Sequence, residues 1–228
     1  MKESKLIEAT ITQTIAITSS IKKLRLEFNQ ADYHFLPGQW IDLHVNIAGK
    51  NIGGYTITST PAQKNYIELI VRQSNHHPVT IFLHQENLVG TQVFITEGQG
   101  KFVLKPNSLI NPPIFIAGGI GITPLLSMAK TLDSQQLSYE LLYSIQSIED
   151  NILMLEKINQ AKIFVTGKYN SYSSNLINRR INIEDLGNLE NYQRDIYICG
   201  PRTMIDELNQ NLLKQNYPKE LIHFEKWW

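Results

Sequence analysis

One stretch between residues 114 and 128 constrains the fold more than any other part of the chain. Its sequence, IFIAGGIGITPLLSM, begins with a short β-branched run that is typical of a parallel strand covered on both faces. Three glycines follow, which let the backbone turn tightly and approach a ligand without an intervening Cβ atom: Gly118, Gly119 and Gly121. Thr123 and Pro124 then suit the N-cap and first position of a helix over residues 124–132. The stretch predicts a strand, a glycine turn and a helix N-terminus that attracts phosphate.

The glycine pattern alone does not establish a dinucleotide site. The G-x-G-x-x-G fingerprint requires a third glycine where this chain has Pro124. A strand–turn–helix unit with a purely structural role therefore stays open until other parts of the chain are considered.

A proline-rich segment divides the chain. Residues 105–113, KPNSLINPP, do not easily continue a strand or a helix. Before them, short alternating runs separated by turn signals favour an antiparallel β-barrel, with a hairpin near the start and one helix over residues 79–87. After them, strands alternate with helices, one of them over residues 149–160, which indicates a mostly parallel sheet. We predict a β-barrel domain over residues 1–106 and an α/β domain over residues 107–228.

Composition excludes several classes of partner. The formal net charge is zero, with 21 basic and 21 acidic residues, so nothing indicates binding to nucleic acid or to a membrane surface. No apolar run approaches the ~20 residues of a spanning helix, and the start lacks the apolar core of a secretion signal. Cys199 is the only cysteine, which excludes a four-cysteine iron–sulfur site within this chain. We expect a cytoplasmic protein.

A second strand–glycine–helix junction lies at residues 196–204, IYICGPRTM. Gly200 allows a close approach, and Pro201 suits a helix start. Cys199 falls at the carboxyl end of the strand, where a ligand of a parallel sheet would meet it. The alternative is that Cys199 is only a small buried hydrophobic residue.

The predicted barrel holds two further candidate segments. Residues 53–61, GGYTITSTP, place an aromatic ring beside short hydroxyl groups, which suits a flat heteroaromatic ligand, although an ordinary strand with exposed threonines has the same composition. Val79 and Thr80, at a predicted helix N-terminus, can offer N–H groups to a pyrophosphate. The spacing of His76, His77 and His84 does not match a zinc-binding helix, so we expect no metal site.

In combination these motifs resemble a known family. An aromatic–hydroxyl motif in a barrel, then G-G-x-G-x-T-P, then C-G-P, resembles the ferredoxin–NADP⁺ reductase-like flavoproteins over nearly the whole chain. The ending FEKWW, together with GGYTI at residues 53–57, is similar to the oxidoreductase NAD-binding domain-containing protein subgroup of that family.

The resemblance implies a role for particular residues. Tyr55 would pack against the isoalloxazine ring of FAD, and the Thr56 hydroxyl would lie near flavin N5. Trp228 would cover the flavin until the nicotinamide displaces it, whereas a plug on the parallel sheet is the alternative for the terminal tryptophans. The remaining flavin-binding residues would be Gly54, Ile57, Val79 and Thr80. The nucleotide would be held by Gly118, Gly119, Gly121, Thr123, Pro124, Cys199, Gly200 and Pro201.

The chain departs from the family at one position. The family motif R-x-Y-[ST] uses its arginine to neutralise the flavin pyrophosphate, and this chain has Gly53 there. Loss of a bidentate, charge-assisted contact should weaken FAD binding or transfer the task to another residue, for which Arg72 is a candidate. FAD is predicted over FMN. Residues 143–146, YSIQ, carry neither the acid of an NADH site nor the bases of an NADPH site, so both donors stay open, with NADH favoured.

The resemblance implies a flavin-dependent NAD(P)H oxidoreductase with a ferredoxin reductase-like fold. Hydride passes from the nicotinamide to FAD, and electrons leave to an unidentified acceptor, such as a separate redox protein. Thr56, Cys199, Glu225 and Trp228 would form the catalytic set, with Glu225 assisting proton transfer. Two alternatives are a regulatory module that binds flavin or nucleotide without turnover and a flavin reductase that uses free flavin as a substrate.

Overall fold

A computed structural model describes residues 6–46, 51–156, 158, 161–167, 176–187, 189 and 193–226. Its contacts divide the chain into two compact units, Met1–Val103 with Leu126–Thr131, and Leu104–Leu125 with Leu132–Trp228. The sequence predicts a boundary between separately folding domains after Pro106. A division by contacts does not measure separate folding, so this boundary stays a prediction.

The first unit is built on an antiparallel sheet. Its six strands among the described residues are β1 Ile7–Ala16, β2 Ile21–Glu27, β3 Trp40–His44, β4 Ile52–Thr56, β5 Tyr66–Arg72 and β6 Gln92–Ile95. They follow the order β4-β3-β6-β1-β2-β5. A bridge between Ile57 and Leu69 joins the two outer strands, and the Thr58 N–H donates to the Glu68 carbonyl oxygen over 2.8 Å. This closure confirms the predicted barrel.

Alternation of apolar side chains explains the barrel strands. Ile11 on β1, Leu24 and Leu26 on β2, and Ile41 and Leu43 on β3 are fully buried, at the period of two that a half-buried strand requires. Burial of each such side chain contributes about 1.5–3 kcal/mol. The predicted β1–β2 hairpin is confirmed by an antiparallel ladder.

The helix of the first unit, α1 Pro78–Leu83, is shorter than the predicted 79–87. Val79 and Leu83 anchor it in the barrel core. After Leu83 the chain leaves the α-helical pattern, because the N–H groups of His84 and Gln85 donate to the carbonyl groups three residues back, at Ile81 and Phe82. Asn87 then adopts a φ of 58°, a left-handed conformation that an α-helix excludes.

The second unit contains a parallel sheet. Its six strands among the described residues are β7 Ile114–Gly118, β8 Glu140–Ile145, β9 Ala161–Val165, β10 Leu176–Ile177, β11 Ile196–Gly200 and β12 Ile222–Lys226. Their order is β10-β9-β8-β7-β11-β12, and each neighbouring pair is parallel. Every residue of β7 and β11 is buried, as their apolar runs predict. The predicted two-part fold class, an antiparallel barrel followed by an α/β region, is confirmed.

Three α-helices accompany these strands in the described residues: α2 Ile122–Ser134, α3 Leu153–Glu156 and α4 Arg202–Lys214. Contacts assign residues 126–131 of α2 to the first unit and the rest of α2 to the second. No helix in the described part of the chain is long and apolar enough to cross a membrane.

Two helix predictions in the α/β region are wrong. Thr123 is not an N-cap, because a 3₁₀ turn over Gly119–Gly121 runs directly into a helix that begins at Ile122, and the Thr123 hydroxyl donates to the Ile120 carbonyl over 3.0 Å. A single helix over 149–160 is also wrong. A 3₁₀ turn ends at Asp150, Asn151 is extended, and its side-chain oxygen accepts the Leu153 N–H at the start of α3.

A buried polar network fixes the amino-terminal edge of the parallel sheet. Asp195, just before β11, accepts hydrogen bonds from the Ser108 hydroxyl over 2.7 Å and from Asn107 over 3.0 Å, and its other oxygen lies 2.7 Å from His223 Nε2. Burial disfavours the Asp195 charge, but the bonds from His223, Ser108 and Asn107 outweigh it and lower the pKa of that carboxyl. The network therefore holds residues 107 and 108 at the amino-terminal edge of the sheet, away from the carboxyl ends of the strands.

Candidate active site

The carboxyl ends of β7 and β11 form the topological switch point of the parallel sheet. From β7 the chain adds β8, β9 and β10 on one side and then places β11 and β12 on the other. Ligands of open α/β sheets bind in the crevice outside the strand ends at such a point. Ala117 pairs with Cys199 there. The structure therefore brings the two predicted glycine junctions together.

The glycines at these junctions are required by the protein itself. A Cβ atom at Gly121 would lie 2.5 Å from the Cys199 carbonyl oxygen, and one at Gly118 would lie 2.6 Å from Pro201 Cδ. At Gly200, where φ is +155°, a Cβ would lie 2.8 Å from Met204 Cε. The sequence predicts that these glycines allow a ligand to come close to the backbone. In the structure, the close contacts at these glycines are instead between the two strand-end turns.

Cys199 lies between Ala117 of β7 and Glu225 of β12 in the sheet register. Because directly paired residues project to the same face of a sheet, these three side chains share one face. Cys199 is fully buried. Glu225 is half-buried, and its Oε2 atom is shielded from solvent with no hydrogen-bond partner among the described residues. Burial raises the pKa of the Glu225 carboxyl to about 7.

The residues at this strand edge fit a nicotinamide nucleotide. A buried carboxyl oxygen that lacks a partner is costly, and an amide N–H such as that of a carboxamide would satisfy it. Thr123 and Pro124 are buried in the first turn of α2. Trp228, the predicted cover of the flavin, lies outside the described residues.

In the barrel unit, Tyr55 and Thr80 form the centre of a second site. Tyr55 lies on β4, and its hydroxyl is 2.9 Å from the Thr80 hydroxyl of α1. Burial raises the pKa of Tyr55 to about 12, although the bond with Thr80 opposes the rise. The Thr80 carbonyl oxygen lies 2.9 Å from His84 Nδ1. The phenol therefore keeps its proton, and the helix backbone at Thr80 is held in place.

Gly53 lies close to the Tyr55 side chain of this pair. A Cβ atom at residue 53 would lie 2.8 Å from Tyr55 Cε2, 2.9 Å from its hydroxyl oxygen and 3.1 Å from His77 Cε1. The space that a longer side chain at residue 53 would enter is thus filled by Tyr55 and His77. The sequence offers His77 only as a metal ligand, and no local spacing signals its approach to Gly53, because the two residues lie on different elements.

The other predicted flavin-binding residues occupy different environments. Thr56 is 6% exposed, and Gly54 is exposed above Trp40. Ile57 and Val79 belong to the barrel core, so only their backbone groups can face a ligand. Arg72 is half-buried at the end of β5, where it pairs with Ile21. Gly53, Tyr55, His77 and Thr80 form the group that the structure brings together.

The side chains of this group fit FAD. A half-buried phenol ring beside a glycine leaves a flat aromatic surface, as an isoalloxazine ring requires. Hydroxyl groups at Tyr55 and Thr80 and the imidazole at His77 supply hydrogen-bond donors of the kind that bind a diphosphate.

Comparisons with known proteins match both parts of the chain. The family model for the oxidoreductase FAD-binding domain matches residues 8–104, and the model for the oxidoreductase NAD-binding domain matches residues 115–210. Oxidoreductase NAD-binding domain-containing protein 1 of Pongo abelii is 33% identical over 239 residues, which cover 92% of this chain and 76% of the relative. The protein of the same name from Danio rerio is 28% identical over 256 residues, which cover 100% of this chain and 94% of the relative.

The chain belongs to the ferredoxin–NADP⁺ reductase-like flavoprotein family. Its relatives named oxidoreductase NAD-binding domain-containing protein 1 confirm the predicted subgroup. The chain is an oxidoreductase with an FAD-binding domain followed by an NAD-binding domain, an arrangement that supports electron transfer between a nicotinamide nucleotide and FAD and on to an acceptor. The two domain matches confirm the cofactors predicted from the sequence, which are FAD with NADH or NADPH.

Solved structures of the same fold include two with near-complete coverage. The FAD/NAD-binding domain of a nitric oxide dioxygenase from Vibrio cholerae has a TM-score of 0.83 at 19% identity, and 99% of each chain is covered. A ferredoxin NADP⁺ reductase from Neisseria gonorrhoeae has a TM-score of 0.78 at 20% identity, with 98% of this chain and 99% of that chain covered. These likenesses establish the ferredoxin reductase-like fold.

We expect Gly121→Ala to destabilise the protein by about 1–3 kcal/mol, because the new Cβ would overlap the Cys199 carbonyl oxygen in a tightly packed turn. The φ of Gly121 is −62°, so the change adds no backbone strain. Urea unfolding measures the difference in the free energy of unfolding. Gly54→Ala is the matched control, since its Cβ would make an ordinary 3.5 Å contact with Trp40. Equal stability of the two variants would contradict this packing account.

We expect Glu225→Gln to stabilise the protein at pH 8 and to have little effect near pH 4.5. Because the pKa of Glu225 is raised to about 7, the native state binds a proton more readily than the unfolded state between these pH values. Wild-type stability therefore falls as the pH rises through this window, and glutamine removes that loss, which is about 1–3 kcal/mol. Urea unfolding from pH 4.5 to 8 tests this, with the exposed Glu220→Gln as control. A difference that does not vary with pH would rule the explanation out.

Proposed function

We propose that the chain turns over as an NAD(P)H-dependent flavoprotein reductase. The observation that carries this proposal is the buried, unpartnered Glu225 oxygen beside Cys199 at the switch point of the sheet. An oxygen in that position suits a nicotinamide carboxamide, and a structural role for the sheet edge does not account for it. FAD, when bound, supplies an N5 atom that accepts hydride and can release electrons to an acceptor.

The barrel residues bind and orient the flavin in this proposal. Tyr55 would pack against the ring, and the Thr56 hydroxyl would be available to donate a hydrogen bond to the flavin near N5. Gly54 and Ile57 contribute backbone groups beside the ring. Val79, Thr80 and Arg72 face the diphosphate, where N–H, hydroxyl and guanidinium donors stabilise negative charge.

The residues of the sheet edge hold the nucleotide and exclude water. Cys199, Gly200 and Pro201 lie beside the nicotinamide, and Glu225 holds or releases a proton at Oε2. The turn at the end of β7 and the start of α2 binds the nucleotide phosphates, through Gly118, Gly119, Gly121, Thr123 and Pro124. Trp228, which lies outside the described residues, keeps the role that the resemblance implies for it, that of covering the flavin.

The electron acceptor in this proposal is a separate redox protein. Relatives include proteins named flavohemoprotein A, from Dictyostelium discoideum, and carnitine monooxygenase reductase subunit, from Acinetobacter baumannii, whose names refer to haem and monooxygenase systems. With Cys199 as its single cysteine, this chain cannot hold a four-cysteine cluster of its own. A single cysteine, which cannot form an intrachain disulfide, also accords with the reducing cytoplasm that the sequence predicts.

We expect the purified protein, supplemented with FAD under anaerobic conditions, to lose its oxidised flavin absorption band when NADH is added. Parallel titrations with NADH and NADPH compare the two donors, and NADH is expected to act at lower concentration. Bound flavin that neither donor reduces would overturn the reductase proposal and favour a regulatory binding module. Turnover that depends on excess free flavin would instead identify a flavin reductase.

We expect Thr56→Val to slow flavin reduction by about tenfold to a hundredfold while leaving FAD affinity almost unchanged. Valine keeps the shape of threonine and removes only the hydroxyl, which is worth about 1–3 kcal/mol when it bonds a reacting group. Stopped-flow absorbance measures the rate, and flavin fluorescence measures the affinity. Thr12→Val on β1 is the control for a lost hydroxyl outside the site. An unchanged reduction rate would remove Thr56 from the catalytic set.

A further inference from the structure

We propose that His77 binds the FAD diphosphate, in place of the arginine that the family motif carries at residue 53. The inference rests on the proposed function in one respect, that the barrel unit binds FAD around Tyr55. It assigns a binding residue on a different element from the family's arginine, at the start of a helix and not on β4.

The geometry at residue 53 points to His77. An arginine there would project from β4 toward the Tyr55 hydroxyl and the His77 imidazole, because a Cβ atom would already lie 2.9 Å from the former and 3.1 Å from the latter. The imidazole therefore lies close to the place where the side chain of the family's arginine would begin. Glycine at residue 53 and histidine at residue 77 together place a nitrogen base in the same region by another route.

The orientation of His77 is not explained by the helix that it precedes. His77 is the N-cap residue of α1, yet its side chain makes no capping hydrogen bond. Its backbone carbonyl already accepts the Ile81 N–H over 3.0 Å, so the backbone is fixed while the ring faces Gly53. A capping role therefore does not account for the ring position.

The neighbouring groups have the polarity that a diphosphate requires. The Tyr55 and Thr80 hydroxyls are 2.9 Å apart, and the Tyr55 phenol is neutral because its pKa is raised to about 12. His84 bonds the Thr80 carbonyl and thereby positions Thr80. One of the two hydroxyls donates to the other, which leaves the second hydroxyl and the imidazole to donate to phosphate oxygens, and a protonated imidazole adds a positive charge.

Two other basic residues of this unit are less well placed. His76 is exposed in the segment before α1. Arg72, the candidate from sequence, lies at the end of β5 opposite Ile21, whereas the atoms nearest to a Cβ at Gly53 belong to Tyr55 and His77. The atoms nearest to residue 53 therefore favour His77.

Comparison of FAD with riboflavin tests this proposal, because riboflavin has the same ring but no phosphate. Dissociation constants for both are measured by flavin fluorescence with the full chain and four single variants: His77→Leu, His77→Gln, His76→Leu and Arg72→Met. We expect His77→Leu to weaken FAD binding about tenfold and to leave riboflavin binding unchanged. His77→Gln, which keeps an N–H donor, should show a smaller loss, and His76→Leu should match the wild type.

The possible results separate the two proposals. Equal losses for FAD and riboflavin in both His77 variants would show that His77 supports the ring or the fold, and would overturn the assignment to the diphosphate. A loss confined to FAD in Arg72→Met but not in His77→Leu would overturn it in favour of Arg72. Wild-type protein that binds FAD, with His77 variants that bind it equally well, would overturn this inference alone. Wild-type protein that binds neither flavin would overturn the proposed function as well.

Discussion

The close approach of two strand-end turns is the constraint on which the parallel sheet unit depends. Backbone atoms of Cys199 occupy the place where a side chain at Gly121 would begin, and Met204 and Gly118 do the same at Gly200. Only residues without a Cβ allow β7 and β11 to end side by side with their turns packed together. Since the strand order reverses at this pair, the same contact lies at the switch point, where ligands of open α/β sheets bind. In the proposed function, packing and nucleotide binding therefore require the same glycines.

The barrel unit combines stability with binding in another way. Closure through the Ile57–Leu69 bridge fixes the end of β4, while Val79 and Leu83 hold α1 in the core. The Tyr55 and Thr80 hydroxyls then meet because both of their elements are anchored. The polar groups of the site lie outside the apolar core, and the buried residues beside them hold them in position.

Sequence predicts the parts of this protein that depend on local pattern. The apolar run at Ile114–Gly118 gives a buried strand, and alternation in β1 and β2 gives a hairpin. It predicts less well where several local signals compete. Thr123 has the chemistry of an N-cap, but the preceding 3₁₀ turn starts the helix earlier, and Asn151 interrupts a helix that periodicity would continue. Contacts between distant segments, such as that of Gly53 with His77, leave no periodic signal, so the sequence could not show them.

Glycine at residue 53, where the family motif has arginine, illustrates how the charged group that binds a ligand can be supplied by a different element of the same fold. A guanidinium on β4 and an imidazole on the residue before α1 would reach the same region from different elements, because a Cβ atom at Gly53 would lie 2.9 Å from the Tyr55 hydroxyl and 3.1 Å from His77 Cε1. Arginine is always charged and bidentate, whereas histidine is a single donor whose charge depends on pH. A site built with histidine should therefore hold FAD less tightly than one built with arginine. Weaker retention is compatible with electron transfer as long as the proposed contacts of Tyr55 and Thr56 with the ring keep the flavin oriented, because hydride transfer depends on the alignment of the reacting atoms.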